Sequence, residues 1–89
     1  MLQIEFHGVL QQAAGGRTME LDGVASGATV ADVLERLKGE RPALAAHLPR
    51  VACAQGDSLV RHNREVDIHR PLVLLPPVSG GSAEETGQQ

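Results

Sequence analysis

Residues 72–81 read Leu-Val-Leu-Leu-Pro-Pro-Val-Ser-Gly-Gly. Four consecutive apolar residues halted by two prolines are too short a run for a helix, so 72–75 is expected to be a strand. The run does not alternate with polar residues, so both of its faces must meet something apolar, and this places it in the middle of a sheet. A central strand needs neighbours, and they have to come from earlier in the chain.

Residues 2–7, Leu-Gln-Ile-Glu-Phe-His, alternate apolar with polar and send Leu2, Ile4 and Phe6 to one face of a half-buried strand. After a polar connection, Gly15-Gly16 offers a tight turn, and 17–21 alternates again with Met19 and Leu21 inward; the expectation is an N-terminal hairpin. From Thr29 the period changes. Val30, Val33, Leu34 and Leu37 share one helix face, Thr29 is a natural N-cap, and Asp32 and Glu35 suit the positive helix end. Gly39 and Pro42 mark a stop, so the helix is expected over 29–38. One further helical turn is expected within 42–48, then short strands at 51–54 and 59–60 around the Gly56-Asp57 turn.

The pattern predicts one α+β domain over residues 1–75. One main helix packs on one face of a small mixed sheet whose first and last strands lie side by side in the middle.

Bulk properties narrow the function. A chain of 89 residues buries only about 60% of its unfolded surface and leaves little room for an internal active site. Its net charge is −3 and Phe6 is its only aromatic residue, which gives neither a basic footprint nor a base-stacking platform; nucleic acid is not an expected partner. Cys53 is the single cysteine and lies in the apolar run Val51-Ala52-Cys53-Ala54, where an inert buried thiol is expected. His7, His47, His62 and His69 show no metal-ligand spacing, and no metal site is expected. There is no leader-like start and no apolar run near the roughly 20 residues that span a bilayer, so the expectation is a cytoplasmic protein with no membrane partner.

Beyond residue 75 the composition changes: 76–89, PPVSGGSAEETGQQ, holds one large apolar residue, Val78, and is expected to leave the domain as a tail. The apolar strand running into Pro-Pro-Val-Ser-Gly-Gly, with the Phe6 strand and the Thr29-Val30 helix start, resembles the MoaD/ThiS type of ubiquitin-like sulfur carrier, and MoaD, the small subunit of molybdopterin synthase, in particular. That resemblance covers nearly all the chain before Ser82. It implies a β-grasp domain that is not itself an enzyme. It implies, too, that a ubiquitin-activating-type adenylyltransferase uses ATP to activate the terminal glycine, Gly81, which then becomes a thiocarboxylate and donates sulfur. No permanently bound cofactor is expected.

Elementary chemistry suits these residues to that role. A carboxylate becomes a good electrophile only as an acyl-adenylate held close to the sulfur source. Gly80 and Gly81 allow backbone to enter a narrow channel. Pro76 and Pro77 bias the base of the tail, residues 76–81, to an extended form that costs less to order. By the same resemblance Pro76, Pro77, Val78, Ser79 and Gly80 are read by the partner, while Val73, Leu75 and His7 face it and Leu72 and Leu74 enter the core. His7 stands where such carriers often have an apolar residue, and the segment before the last strand, Asp67-Ile-His-Arg-Pro71, is less Gly-rich than theirs.

One departure bears directly on function: residues 82–89, Ser-Ala-Glu-Glu-Thr-Gly-Gln-Gln, follow Gly81 and tie its carboxyl into an amide. The expectation is a disordered extension trimmed between Gly81 and Ser82, as by a JAMM-type metalloprotease. The acceptor of the sulfur is then the molybdopterin synthase large subunit or an enzyme of cysteine, siderophore or other sulfur-metabolite synthesis. Two alternatives stand beside this reading: a non-transferring β-grasp interaction domain, and a ubiquitin-like modifier conjugated through Gly81.

Overall fold

The computed structural model describes residues 1–76. Along them run β1 (Leu2–Phe6), α1 (Val9–Ala14), β2 (Thr18–Leu21), α2 (Val30–Glu40), β3 (Ala52–Gln55), β4 (Ser58–Val60) and β5 (Leu72–Leu75), with two 3₁₀ turns, Pro42–Leu44 and Leu48–Arg50, between α2 and β3. The strands form one sheet in the order β2-β1-β5-β3-β4. β1 and β5 are parallel and every other pair is antiparallel, so the two ends of the domain meet at its centre, as the uninterrupted apolar run of β5 requires. This mixed five-stranded sheet grasping one main helix is the β-grasp, ubiquitin-like fold.

Register sorts the side chains into two faces. Phe6 lies beside Leu74, Leu74 beside Cys53, and Cys53 beside Val60, forming an inward row across four strands. Against this face α2 lays Val30, Val33, Leu34 and Leu37, and Leu10 and Ala14 of α1 close one end of the core. Each leucine buried this completely contributes about 1.5–3 kcal/mol of transfer free energy, which suits a core that is aliphatic apart from Phe6.

The start of α2 is fully paired. Thr29 and Asp32 form a reciprocal capping box, with the Asp32 amide donating to Thr29 Oγ1 at 3.2 Å and the Thr29 amide to Asp32 Oδ2 at 2.9 Å. The next free amides, of Val30 and Ala31, donate to the carbonyls of Arg64 and His62 at 2.9 and 2.7 Å. The long segment before β5 therefore caps the helix as well as connecting strands.

Three expectations need correction. The β1 and β2 strands do pair antiparallel, but Gly15-Gly16 is not a two-residue hairpin turn: α1 intervenes, and Gly15 is its left-handed C-cap, φ 80°, donating to the Gln11 carbonyl. Val-Leu-Gln-Gln-Ala-Ala spans fewer than two helical turns, so only Leu10 and Ala14 carry the i, i+4 signal. Gly39 does not stop α2, which runs on to Glu40; the stop comes at Arg41, before Pro42, where the Arg41 amide donates to the Leu37 carbonyl at 2.7 Å. The Arg41 side chain also reaches the last carbonyl of α1, Ala14 O, at 3.0 Å, and so ties the two helix ends together. Finally, the stretch after Pro42 makes two 3₁₀ turns where one helical turn was expected, and Pro49 sits inside the second of them.

Candidate functional site

On the face of the sheet away from α2, the register lines up Thr18, Glu5, Val73, Ala54 and Leu59 in one row across all five strands. Ala52 and Leu75 pair in the next row, and His7 continues the outward set of β1, with its Nε2 3.8 Å from Glu5 Oε1. The face is divided. Its β5-β3-β4 half is apolar, with Val73, Leu75, Ala52 and Ala54 half-buried and Leu59 72% exposed. Its β1-β2 half is polar, where Glu5, His7, Gln11, Arg17 and Thr18 border a shallow cleft.

Within β5 the side chains alternate strictly: Leu72 and Leu74 are fully buried, and Val73 and Leu75 are half-exposed on the outer face. Leu59, Ala52 and Ala54 join Val73 there. The sequence reading did not include those three, although the alternation of Cys53 and Val60 with Ala54 and Leu59 carried the signal. What it lacked was the pairing that brings β4 alongside β3 and β3 alongside β5.

The tail springs from the end of β5. The His7 amide donates to the Leu74 carbonyl at 3.1 Å, one step beyond the β1 strand. The chain then turns: the Leu10 amide donates to the His7 carbonyl at 3.2 Å, with Gly8 at φ 59°, ψ −137°, a positive-φ conformation in which a side chain is strained. Pro76, half-buried, lies over Gly8. The other tail residues named from sequence, Pro77, Val78, Ser79, Gly80 and Gly81, and the extension 82–89, lie outside the described residues.

The segment before β5 is held from β3. Gln55 Nε2 donates to the carbonyls of Asp67 and Arg70 at 2.8 and 2.9 Å, and Gln55 Oε1 accepts from the Asp67 amide at 2.9 Å. Asp67 Oδ1 accepts from the His69 amide, and Asp67 Oδ2 lies 3.4 Å from Arg70 Nε. His69 and Arg70 are thus exposed residues on a loop whose backbone is fixed, and Arg70 folds over Gly56 closely enough that a Cβ there would meet Arg70 Nη1.

Cys53 is 2% exposed between Leu74 and Val60, and burial pushes its thiol up to about 11, so it stays protonated and unreactive at neutral pH. Among the described residues no three His, Cys, Asp or Glu side chains converge as metal ligands, and no helix is long and apolar enough to cross a membrane.

Comparison with known proteins agrees with this architecture. The structure superposes on that of SAMP1 from Haloferax volcanii with a TM-score of 0.75 at 28% identity, covering 90% of this chain and 98% of that one. A putative molybdopterin converting factor subunit 1 from Pyrococcus furiosus shares the fold at 20% identity, with a TM-score of 0.75 over 86% of this chain and 97% of the other. A chain of the BexX/CysO complex from Amycolatopsis orientalis does so at 24% identity, with a TM-score of 0.67 over 91% and 100%. No curated protein sequence matches. The ThiS family profile matches residues 4–81, from the first buried strand to the second glycine, and the chain therefore belongs to the ThiS family of ubiquitin-like sulfur-carrier-type proteins.

Proposed function

We propose that the protein carries sulfur on Gly81 once the Gly81–Ser82 bond has been cleaved. The observation that carries this reading is the extent of the family match, which ends on Gly81 and leaves Ser82 onward outside it. Cleavage by a JAMM-type metalloprotease frees the Gly81 carboxylate. An adenylyltransferase then joins that carboxylate to the α-phosphate of ATP, releasing pyrophosphate. Hydrosulfide, or a donor delivering its equivalent, attacks the acyl carbon; AMP leaves with the bonding pair, a proton is lost, and a thiocarboxylate remains for transfer to an acceptor enzyme. The carrier's own residues supply position rather than catalysis.

In this reading the apolar half of the outer face, Val73, Leu75 and Leu59, docks the partners, with His7 and Glu5 meeting polar groups at its rim. The sulfur goes to the molybdopterin synthase large subunit or to another sulfur-metabolite enzyme.

Incubating the 89-residue chain and a chain ending at Gly81 with the activating enzyme and ATP tests the proposal. Pyrophosphate release is expected only from the shorter chain. Adenylate formed on the full-length chain without trimming would overturn the pro-carrier reading.

A second reading, a ubiquitin-like modifier joined through Gly81 to lysines of targets, is favoured by the likeness to a solved small archaeal modifier protein 1 at 27% identity and a TM-score of 0.75. An isopeptide-linked adduct recovered from cell extract would distinguish it.

A further inference from the structure

We infer that Gly8 is a seat for the base of the tail, fixing the position of Pro76 as it leaves the sheet; Gly8 and Pro76 are positioning residues for whatever chemistry occurs at Gly81. The inference rests on the sulfur-carrier reading for its functional consequence but on local geometry for its structural content.

Three attachments bear on the end of β5. The Leu74 carbonyl accepts from His7, Leu75 pairs with Ala52 of β3, and Pro76 lies on Gly8. A Cβ at position 8 would stand 3.0 Å from Pro76 Cγ and 3.6 Å from its Cδ, inside ordinary contact distance for the first. The ring lies as close as it does because residue 8 has no side chain; a Cβ there would crowd it and require a shift of a few tenths of an ångström. The same turn is fixed by the His7–Leu10 hydrogen bond and leads directly into α1, whose Leu10 is fully buried, so the seat is anchored in the core.

Pro76 has its own φ fixed by its ring and carries no amide that could extend the ladder with β1. Two constraints therefore coincide on one residue, and the point from which the tail departs is Pro76 rather than Leu75. Fixing one backbone residue is an ordering step that a partner otherwise has to perform each time it threads the tail. The outer face can dock without that step, so the seat acts after docking.

The separation of docking from threading gives the test its form. The core lies within residues 2–74, so a chain ending at Gly81 keeps every buried contact. Adenylation of that chain by its activating enzyme is measured for wild type, Pro76→Ala and Pro76→Gly. We expect kcat to fall about fivefold to tenfold for Pro76→Gly, and less for Pro76→Ala, while KM stays within about twofold, because the docked complex forms normally but presents the tail correctly less often. In the full-length chain, a double-mutant cycle of Gly8→Ala with Pro76→Ala on urea unfolding isolates the contact, since the strain of a side chain at φ 59° is common to both arms and cancels. Removing the ring is expected to relieve part of the Gly8→Ala loss. Additive effects, or an unchanged kcat in Pro76→Gly, would overturn the seat. Should Gly8→Ala fail to fold, the Pro76 kinetics decide alone. If the wild-type chain ending at Gly81 is not adenylated, the sulfur-carrier reading fails while the cycle still tests the contact.

Discussion

Leu74 and Leu75 are neighbours in sequence and opposite in environment, and exchanging each for alanine should separate the stabilising face of β5 from the outer face proposed to dock partners. Leu74 is fully buried between Phe6 and Cys53, whereas Leu75 is half-exposed on the outer face. Leu74→Ala removes three buried carbons and leaves a cavity in a central strand that cannot collapse freely, at a cost of about 2.7–5 kcal/mol. A domain of this size has a total stability of about 4–11 kcal/mol, so the variant should lie close to its unfolding threshold. Leu75→Ala loses only part of its transfer energy, about 1 kcal/mol or less, and leaves no enclosed void. The chain has no Trp or Tyr, so unfolding in urea is followed by far-ultraviolet circular dichroism. With a slope of about 1 kcal/mol/M, the midpoint of Leu74→Ala should fall by about 3–5 M and that of Leu75→Ala by about 1 M or less. Binding to the activating enzyme should reverse the order, with Leu75→Ala weakened and the folded fraction of Leu74→Ala unaffected. Equal losses of stability would refute the assignment of the two residues to opposite faces.

Other outcomes follow from single sites. The Cys53 thiol is raised from an ordinary 9.0 to about 11 by burial, so the folded state holds its proton more tightly than the unfolded state. Its contribution is fully present below pH 9 and is lost as pH climbs through 11; it should disappear from the pH dependence of unfolding in Cys53→Ala, a difference of up to about 3 kcal/mol. Thr29→Ala opens the capping box of α2 and should cost about 1 kcal/mol in thermal or urea unfolding, with faster amide exchange confined to the first turn. Gln55→Leu removes three hydrogen bonds to the loop before β5 and should speed exchange of the Asp67 amide while costing about 1–3 kcal/mol. Unchanged exchange at Asp67 would show that the loop is held by something other than Gln55.

The sequence alone determined the central position of β5, the inward face of β1 and the capped start of α2. Each rests on a local pattern: an apolar run stopped by prolines, a period of two, and Thr29 followed three residues later by Asp32. Val73 and Leu75 were singled out by the resemblance to the sulfur carriers, because the uninterrupted apolar run of β5 does not by itself say which of its residues face outward. Only the tertiary structure decided what stands beside them. That Leu59 and Ala54 extend the face of Val73 depends on cross-strand register, and that Pro76 rests on Gly8 depends on a contact between residues 68 positions apart, held by the parallel pairing of β1 with β5. Neither leaves a periodic trace in the chain. The α1 helix escaped for a different reason, since six residues are too few to display a helical period, and Gly15 serves a hairpin turn and a helix C-cap with the same positive φ.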